Sequence, residues 1–537
     1  MHMQDDFPLN LSTLYDRSVW LYPDQEIVSV EADRSRVRSN YGETDGRVRR
    51  LATALEALGV GRGEAVATFA WNNRRHHELY WATANTGRIC HTVNIRLFAD
   101  QLAYIVNHAE DRVAFVDPDL VPLVTPLADQ FKTVETYVVM GPEADPALPG
   151  SISYEDLIAD ATEHGPWPEL DERSPMMLCY SSGTTGNPKG VAYTQRSTYL
   201  HTISNLANFA MTSSDNVLPV VPMFHASAWG YPFMAVAQGA KLTYPGPDLT
   251  PEGLVRLFED EKVTFSAGVP TVWLGIKQYL DANPDADVSS IRAFLCGGSA
   301  VPRAMIEWFW VERGIRVVQG WGMTETNPVA STATLKPEME TWDLQRQLDF
   351  METAGMPIAG LKVKIVDEVG EELPHDGVAF GELLIRGPWI AAEYYRDPRS
   401  SQSFDDGWLR TGDVAKITPE GYIRITDRAK DVIKSGGEWI STIDLENAIM
   451  AHPGVAEATV VGLKHLKWQE RPAAFVVPIE GAQVSEADVL GFLEDRVAKW
   501  WMPDKVIFID QIPKTGTGKF DKKVVRDQYA DLLIEES

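Results

Sequence analysis

Five short segments of this sequence carry residue types suited to chemistry on a phosphorylated nucleotide. The first is Ser181-Ser182-Gly183-Thr184-Thr185-Gly186-Asn187-Pro188-Lys189-Gly190. It packs three glycines and four hydroxyl residues into ten positions, directly after the apolar run MMLCY. Such a loop can turn N–H and O–H donors onto phosphate oxygens. It is not a Walker A loop, because Pro188 separates Gly186 from Lys189 and a glycine follows the lysine. The second segment is Gln319-Gly320-Trp321-Gly322-Met323-Thr324-Glu325. Its aromatic residue can present a flat face to a purine, Thr324 a hydroxyl to a phosphate, and Glu325 a hard oxygen to Mg²⁺. The third is Trp408-Leu409-Arg410-Thr411-Gly412-Asp413, where a fixed carboxylate can accept from vicinal ribose hydroxyls or close an Asx turn. The fourth runs from Asp427-Arg428-Ala429-Lys430-Asp431 to Ile433-Lys434-Ser435-Gly436-Gly437-Glu438. The fifth, Pro513-Lys514-Thr515-Gly516-Thr517-Gly518-Lys519, ends in a mobile point charge suited to a developing anion.

These segments need a scaffold, and the pattern around them is that of an α/β protein. Val48, Leu51, Leu55 and Leu58 recur at helical spacing, with Gly59 as the stop. Short buried strands are expected over 65–70, 112–117 and 136–140. Strands separated by helical stretches imply parallel sheets. From about Gly355 the texture changes to short strands and turns (LKVKIVDEVGEELP, GELLIRG, GYIRITD), which reads as a β-rich subdomain over 355–427. Beyond the charged run at 427–431, residues 437–440 read as a strand. Ser441 and Asp444 read as the start of a helix that His452-Pro453-Gly454 ends. The expected division is therefore a large N-terminal α/β domain (1–427), a hinge at 428–432 and a small mobile α+β domain (433–537).

The chain has 537 residues, and its 76 acidic side chains outnumber 49 basic ones for a formal charge of −27. That balance disfavours a nucleic-acid partner and adsorption to anionic membranes. It leaves small anionic substrates open, since local N–H groups can oppose the global field. Residues 217–240 lack any charged side chain, yet Pro219, Pro222, Pro232, His225 and Gln238 argue for a buried segment lining a pocket rather than a membrane span. Cys90, Cys179 and Cys296 lie far apart and show no metal spacing, as expected of buried thiols in a reducing compartment. With no secretory signal at the amino end, a cytoplasmic location is expected.

The five segments occur once each and in this order, and together the chain resembles the adenylate-forming superfamily of acyl-CoA synthetases, luciferases and nonribosomal adenylation domains. The resemblance covers nearly the whole sequence. PVVPMFHASAWG and DRAKDVIKSGGEWIST make it most similar to bacterial medium-chain fatty-acyl-CoA ligases and 3-methylmercaptopropionyl-CoA ligases. The resemblance implies two steps. A carboxylate attacks the α-phosphate of ATP to give an acyl-adenylate and pyrophosphate, and the thiol of coenzyme A then displaces AMP. It implies that Ser181, Ser182, Gly183, Thr184, Thr185, Gly186 and Lys189 hold phosphates, with Thr324 beside them and Glu325 carrying Mg²⁺. Trp321 faces adenine with Gly320 and Gly322 on either side; most relatives have Tyr here, and an indole cannot accept a hydrogen bond. Gly298, Ser299 and Ala300 also line the nucleotide, and Asp413 and Arg428 bind the ribose. Lys519 neutralises charge in the first step. The resemblance further implies that Lys430 is the hinge about which the small domain rotates, after which Gly436, Gly437, Glu438 and Trp439 line the thiol's path.

The acyl pocket is expected near His225, Trp229, Gly297, Gly298 and Trp321, with His225 gating the acyl site or shaping the carboxylate's seat. Three bulky tryptophans, Trp229, Trp321 and Trp439, imply a small volume and hence a short- to medium-chain fatty acid. A methylthio acid fits the same walls, because thioether sulfur packs well on aromatic rings. Three other readings share the first-step residues or the fold: an adenylation enzyme that loads a carrier protein, a luciferase-like oxygenase, and a non-enzymatic nucleotide-binding protein. The absence of a carrier region after Lys519 and the GGEWIS segment favour CoA; the filled Lys519 and Glu325 positions favour an enzyme. Relatives of this kind often form homodimers.

Overall fold

The computed structural model describes residues 3–181, 187–428, 431–435, 438–479, 481–514 and 520–535. Two mostly parallel sheets form the bulk of it. One has seven strands in the order Ile152–Ser153, Thr136–Val139, Val113–Val116, Ala65–Phe69, Ile89–Thr92, Pro175–Ser181, Lys189–Thr194. All its pairings are parallel except the last, a hairpin between Pro175–Ser181 and Lys189–Thr194. The other has nine strands, and its central run pairs Arg316–Gly322, Ala293–Gly297, Phe265–Gly268, Asn216–Pro219, Lys241–Tyr244 and Glu26–Val30 in parallel. These strands are buried on both faces, which is why they read as continuous apolar runs. The expected helix around Val48 spans Tyr41–Ala57, and its Asn40 cap accepts from the Glu43 N–H at 2.8 Å while Glu43 reaches back.

A five-stranded antiparallel sheet follows, built from Lys362–Val366, Phe380–Arg386, Phe404–Asp405, Trp408–Ile417 and Ile423–Arg428. Another five-stranded sheet carries Ile433–Ser435, Glu438–Ile440, Val455–His465, Gln469–Pro478 and Lys505–Phe508, with its own buried core around Leu445, Val460 and Val476. Its helix Thr442–Met450 starts where expected, with Ser441 accepting from Asp444 N–H at 3.1 Å. Arg428 still pairs with Asp413 inside the antiparallel sheet, one residue beyond the expected end of the N-terminal domain.

The uncharged stretch at 217–240 is a strand, a turn and the helix Tyr231–Gln238, nearly all of it buried. Among the described residues no helix is long and apolar enough to cross a membrane. Cys90, Cys179 and Cys296 are buried free thiols.

Candidate active site

Hairpin register places the two ends of the Ser/Thr/Gly-rich segment. Ser181 pairs with Lys189 and Tyr180 with Gly190, and Ser181 ends its strand at the carboxyl edge of the seven-stranded sheet. In open α/β sheets that edge is where ligands bind. A Cβ on Gly190 would lie 3.1 Å from the Tyr180 ring and 3.2 Å from Tyr395 Cβ, which is why this position tolerates little bulk. The Lys189 ammonium lies 4.3 Å from the centroid of the Tyr394 ring. Tyr395 N–H donates to the Gly190 carbonyl at 2.8 Å.

The glycines of the Trp321 segment are required by packing. Gly297 and Gly320 face each other across parallel strands, and a Cβ on Gly297 would sit 2.5 Å from the Gly320 carbonyl oxygen. A Cβ on Gly322 would come within 1.9 Å of the Pro328 carbonyl oxygen, at a register shift in the hairpin with Val329–Thr332. Beyond it, Thr324 and Glu325 form a buried 3-10 turn. Tyr193 donates its hydroxyl to the Thr324 carbonyl at 2.7 Å. Tyr394 donates to Glu325 Oε1 at 2.8 Å, and Ala391 N–H to the Glu325 carbonyl at 2.8 Å. Burial, together with the Glu325 carboxylate, raises the Tyr394 phenol above its ordinary value, so it stays a donor.

Trp321 does more than present a ring. Its indole N–H donates to Asp413 Oδ2 at 2.8 Å, while Arg428 Nε pairs with Asp413 Oδ1 at 2.8 Å. Asp413 is 2% exposed, so both bonds act in a low-dielectric setting. Gly412 takes a φ of 70° just before it, inside the strand Trp408–Ile417. Gly298 has a φ of 86° and opens the exposed loop that carries Ser299 and Ala300 past the end of Ala293–Gly297.

Two of the expected acyl-pocket residues meet. Trp229 Cη2 lies 3.5 Å from where a Gly297 Cβ would be. Trp229 belongs to the turn Ala226–Gly230, whose five residues have φ of 44°, 57°, 49°, 55° and 83°. Four of them are not glycine, and left-handed backbone costs such residues roughly 1–2 kcal/mol each. Burial offsets that cost: all five are buried, and Ser227 donates to Met177 Sδ at 2.6 Å. His225 is half-buried at the start of this turn. Gly230 also lets His201 approach, since a Cβ there would be 2.8 Å from His201 Cε1. His201 is fully buried, accepts the Val329 N–H at 3.3 Å, and burial pushes its pKa down to about 3.

Next to the expected hinge, Asp427 accepts from Thr442 N–H at 2.8 Å and from the Thr442 hydroxyl at 2.6 Å, and burial raises it to about 6. Lys522 meets Glu446 at 2.8 Å and Arg526 meets Asp431 at 2.8 Å, so the tail helix Lys522–Gln528 is tied to this segment.

Ser182, Gly183, Thr184, Thr185, Gly186, Lys430, Gly436, Gly437 and Lys519 lie outside the described residues, as do the side chains of Glu438 and Trp439. The structure thus brings Lys189 and Glu325 together on Tyr394, Trp321 and Arg428 together on Asp413, and Trp229 against Gly297. Tyr394, Tyr193 and His201 were not foreseen. Paired aromatics in AAEYYRDP, set in a turn-rich stretch, are the one sequence signal that marks Tyr394.

Residues 16–395 match the AMP-binding enzyme family. The chain belongs to that family. Residues 444–519 match the AMP-binding enzyme C-terminal domain. The chain is 43% identical to a 3-methylmercaptopropionyl-CoA ligase of Ruegeria lacuscaerulensis, over 98% of each chain. It is 44% identical to a long-chain-fatty-acid–CoA ligase of Thermus thermophilus, over 98% of this chain and 96% of the relative. Among solved structures, ATP-bound MatB from Rhodopseudomonas palustris superposes with a TM-score of 0.84 at 26% identity, over 98% of this chain and all of that one. The expected adenylate-forming resemblance and α/β fold are thereby shown. In this AMP-binding enzyme, Ser181, Gly297 and Gly322 each end a strand of the two mostly parallel sheets, while Asp413 and Arg428 pair within the antiparallel one.

Proposed function

We propose that this AMP-binding enzyme is an ATP-dependent acyl-CoA ligase for a short- to medium-chain fatty acid. The supporting observation is the clasp of Trp321 and Arg428 on Asp413, which sets an aromatic face beside a buried carboxylate where the nine-stranded sheet meets the antiparallel one. That pairing suits adenine and ribose. In the first step a carboxylate oxygen attacks the α-phosphorus, the bond to the β-phosphate bridging oxygen breaks, and pyrophosphate leaves. In the second the CoA sulfur attacks the acyl carbon, loses its proton, and AMP leaves. The protein's share is positioning and charge stabilisation.

In this reading the hairpin tip, from Ser181 through Thr184 to Lys189, holds the β- and γ-phosphates. Asp413 and Arg428 hold the ribose, and Gly298, Ser299 and Ala300 border the nucleotide. Lys519 opposes charge between carboxylate and α-phosphate. Mg²⁺ takes one or two carboxylates with phosphates and water, and the buried, clamped Glu325 fits that demand. Among the described residues no three His, Cys, Asp or Glu side chains cluster as an all-protein cage. When bound, the ion neutralises phosphate charge. The chain divides at 428–432, with Lys430 as the pivot that swaps Lys519 for the Gly436–Trp439 segment on the thiol's path. The three buried free cysteines suit a cytoplasmic enzyme.

Two relatives at near-equal identity are named for acids of very different length, so the pocket must decide. Trp229 against Gly297 makes a bulky wall, which favours short chains. A methylthio acid is the second reading, on the strength of the relative named for it. The test measures AMP and pyrophosphate release with ATP and Mg²⁺, with and without CoA, across acetate, butyrate, hexanoate, octanoate, palmitate and 3-methylmercaptopropionate. CoA-dependent turnover peaking between butyrate and octanoate is expected. A palmitate maximum overturns the pocket argument, and pyrophosphate release without thioester points to a carrier-protein acceptor.

A further inference from the structure

The segment from Trp389 to Tyr395 crosses the candidate site and touches two of its motif elements, though none of its residues belongs to them. Its Ala391 N–H and Tyr394 hydroxyl hold Glu325 by backbone and side chain, at 2.8 Å each. Its Tyr395 N–H holds the Gly190 carbonyl at 2.8 Å, and the Tyr394 ring carries the Lys189 ammonium at 4.3 Å. Tyr394 is itself fixed: its N–H donates to Ser400 Oγ at 2.9 Å and its ring meets Phe404 edge-on at 5.2 Å. It is 5% exposed, as is Glu325.

We propose that Tyr394 is a positioning residue for the metal-binding carboxylate, committing Glu325 Oε1 to its hydroxyl so that Oε2 meets the divalent cation on the ATP phosphates. The same ring seats Lys189 at the exit of the phosphate loop, so one side chain sets the spacing between loop and cation. This inference rests on the reading of Glu325 as the metal carboxylate. Chemistry separates the two contacts. Phenylalanine keeps a ring face for Lys189 and removes the donor to Glu325; leucine removes both. Partners that orient a metal ligand typically contribute 10–100-fold in metal affinity.

The experiment titrates Mg²⁺ and Mn²⁺ in acyl-adenylate formation by the native chain, Tyr394→Phe, Tyr394→Leu and Glu325→Gln. In parallel, Mn²⁺ bound in the presence of a non-hydrolysable ATP analogue is read by electron paramagnetic resonance, with thermal melting as the control for folding. Tyr394→Phe should raise the Mg²⁺ half-saturation and the Mn²⁺ Kd by about tenfold, with the ATP KM at saturating Mg²⁺ unchanged. Tyr394→Leu should raise the ATP KM as well. An unchanged Mn²⁺ Kd in Tyr394→Phe, with Glu325→Gln strongly weakened, overturns the role of Tyr394 alone. If Glu325→Gln also leaves Mn²⁺ binding unchanged, the metal assignment itself falls.

Discussion

Asp413 holds two bonds that decide what Trp321 is for. A phenylalanine at 321 would keep a flat face for a purine and lose the indole N–H that now reaches Asp413 at 2.8 Å. Hydrogen bonds to a charged group contribute about 1.5–3 kcal/mol, so Trp321→Phe should raise the ATP KM roughly ten- to hundredfold. Steady-state kinetics at saturating acid and CoA measures it. An unchanged KM would mean that the ring acts as a face alone. Sequence reading reached Trp321 and Asp413 separately, because each stands in its own motif. It missed the bond between them, since 92 residues separate the partners and no local pattern encodes that distance. The same holds for Tyr394, which meets Glu325 across 69 residues.

Strands and helices set how closely the site residues approach. Gly297 lies against Gly320 with no room for a side chain, and its neighbour Trp229 closes the other side. Gly297→Ala should destabilise the protein by about 1–3 kcal/mol through overpacking and lower its affinity for the acid. Thermal melting and the acid's KM check the two effects; a native melting curve would show that the strands separate freely. The strands near 65–70, 112–117 and 136–140 were legible because buried parallel strands read as short apolar runs between turns. The helix Tyr41–Ala57 was legible because its apolar residues keep a helical period. The turn Ala226–Gly230 was not. Ala-Ser-Ala-Trp has no intrinsic liking for positive φ, so packing on Met177, His201 and Gly297 overrides local preference. No propensity scale anticipates a left-handed turn held by its surroundings.

Protonation links the whole molecule to pH. Burial pushes His76 down to about 4 and His77 and His201 to about 3, against an ordinary value of 6.5. Each therefore takes up a proton on unfolding below 6.5. Their stabilisation is complete above that pH and drains as pH falls toward 3 to 4, by up to about 1.4 kcal/mol per pH unit for each histidine. Asp117 and Asp427, raised by burial to about 7 and about 6, run the opposite way, favouring the folded state in acid and losing that as pH rises. Between pH 7 and pH 5, His108 adds to the histidines and Asp16, Asp111, Glu352 and Asp444 add to the raised carboxylates, so the histidine share is read as the difference between the native chain and a variant. His77→Gln should fall less steeply across that range than the native chain; an unchanged slope in calorimetry would remove His77 from that share. The strap from Trp389 to Tyr395 has a consequence in time. The ribosome makes Gly190 and Glu325 long before it makes Tyr394 and Tyr395, which clasp them. A nascent chain stopped short of residue 389 therefore carries the phosphate hairpin and the carboxylate without the brace between them. On the proposed reading nucleotide capture comes late in synthesis, because Asp413, Arg428 and Lys519 follow the strap in the chain.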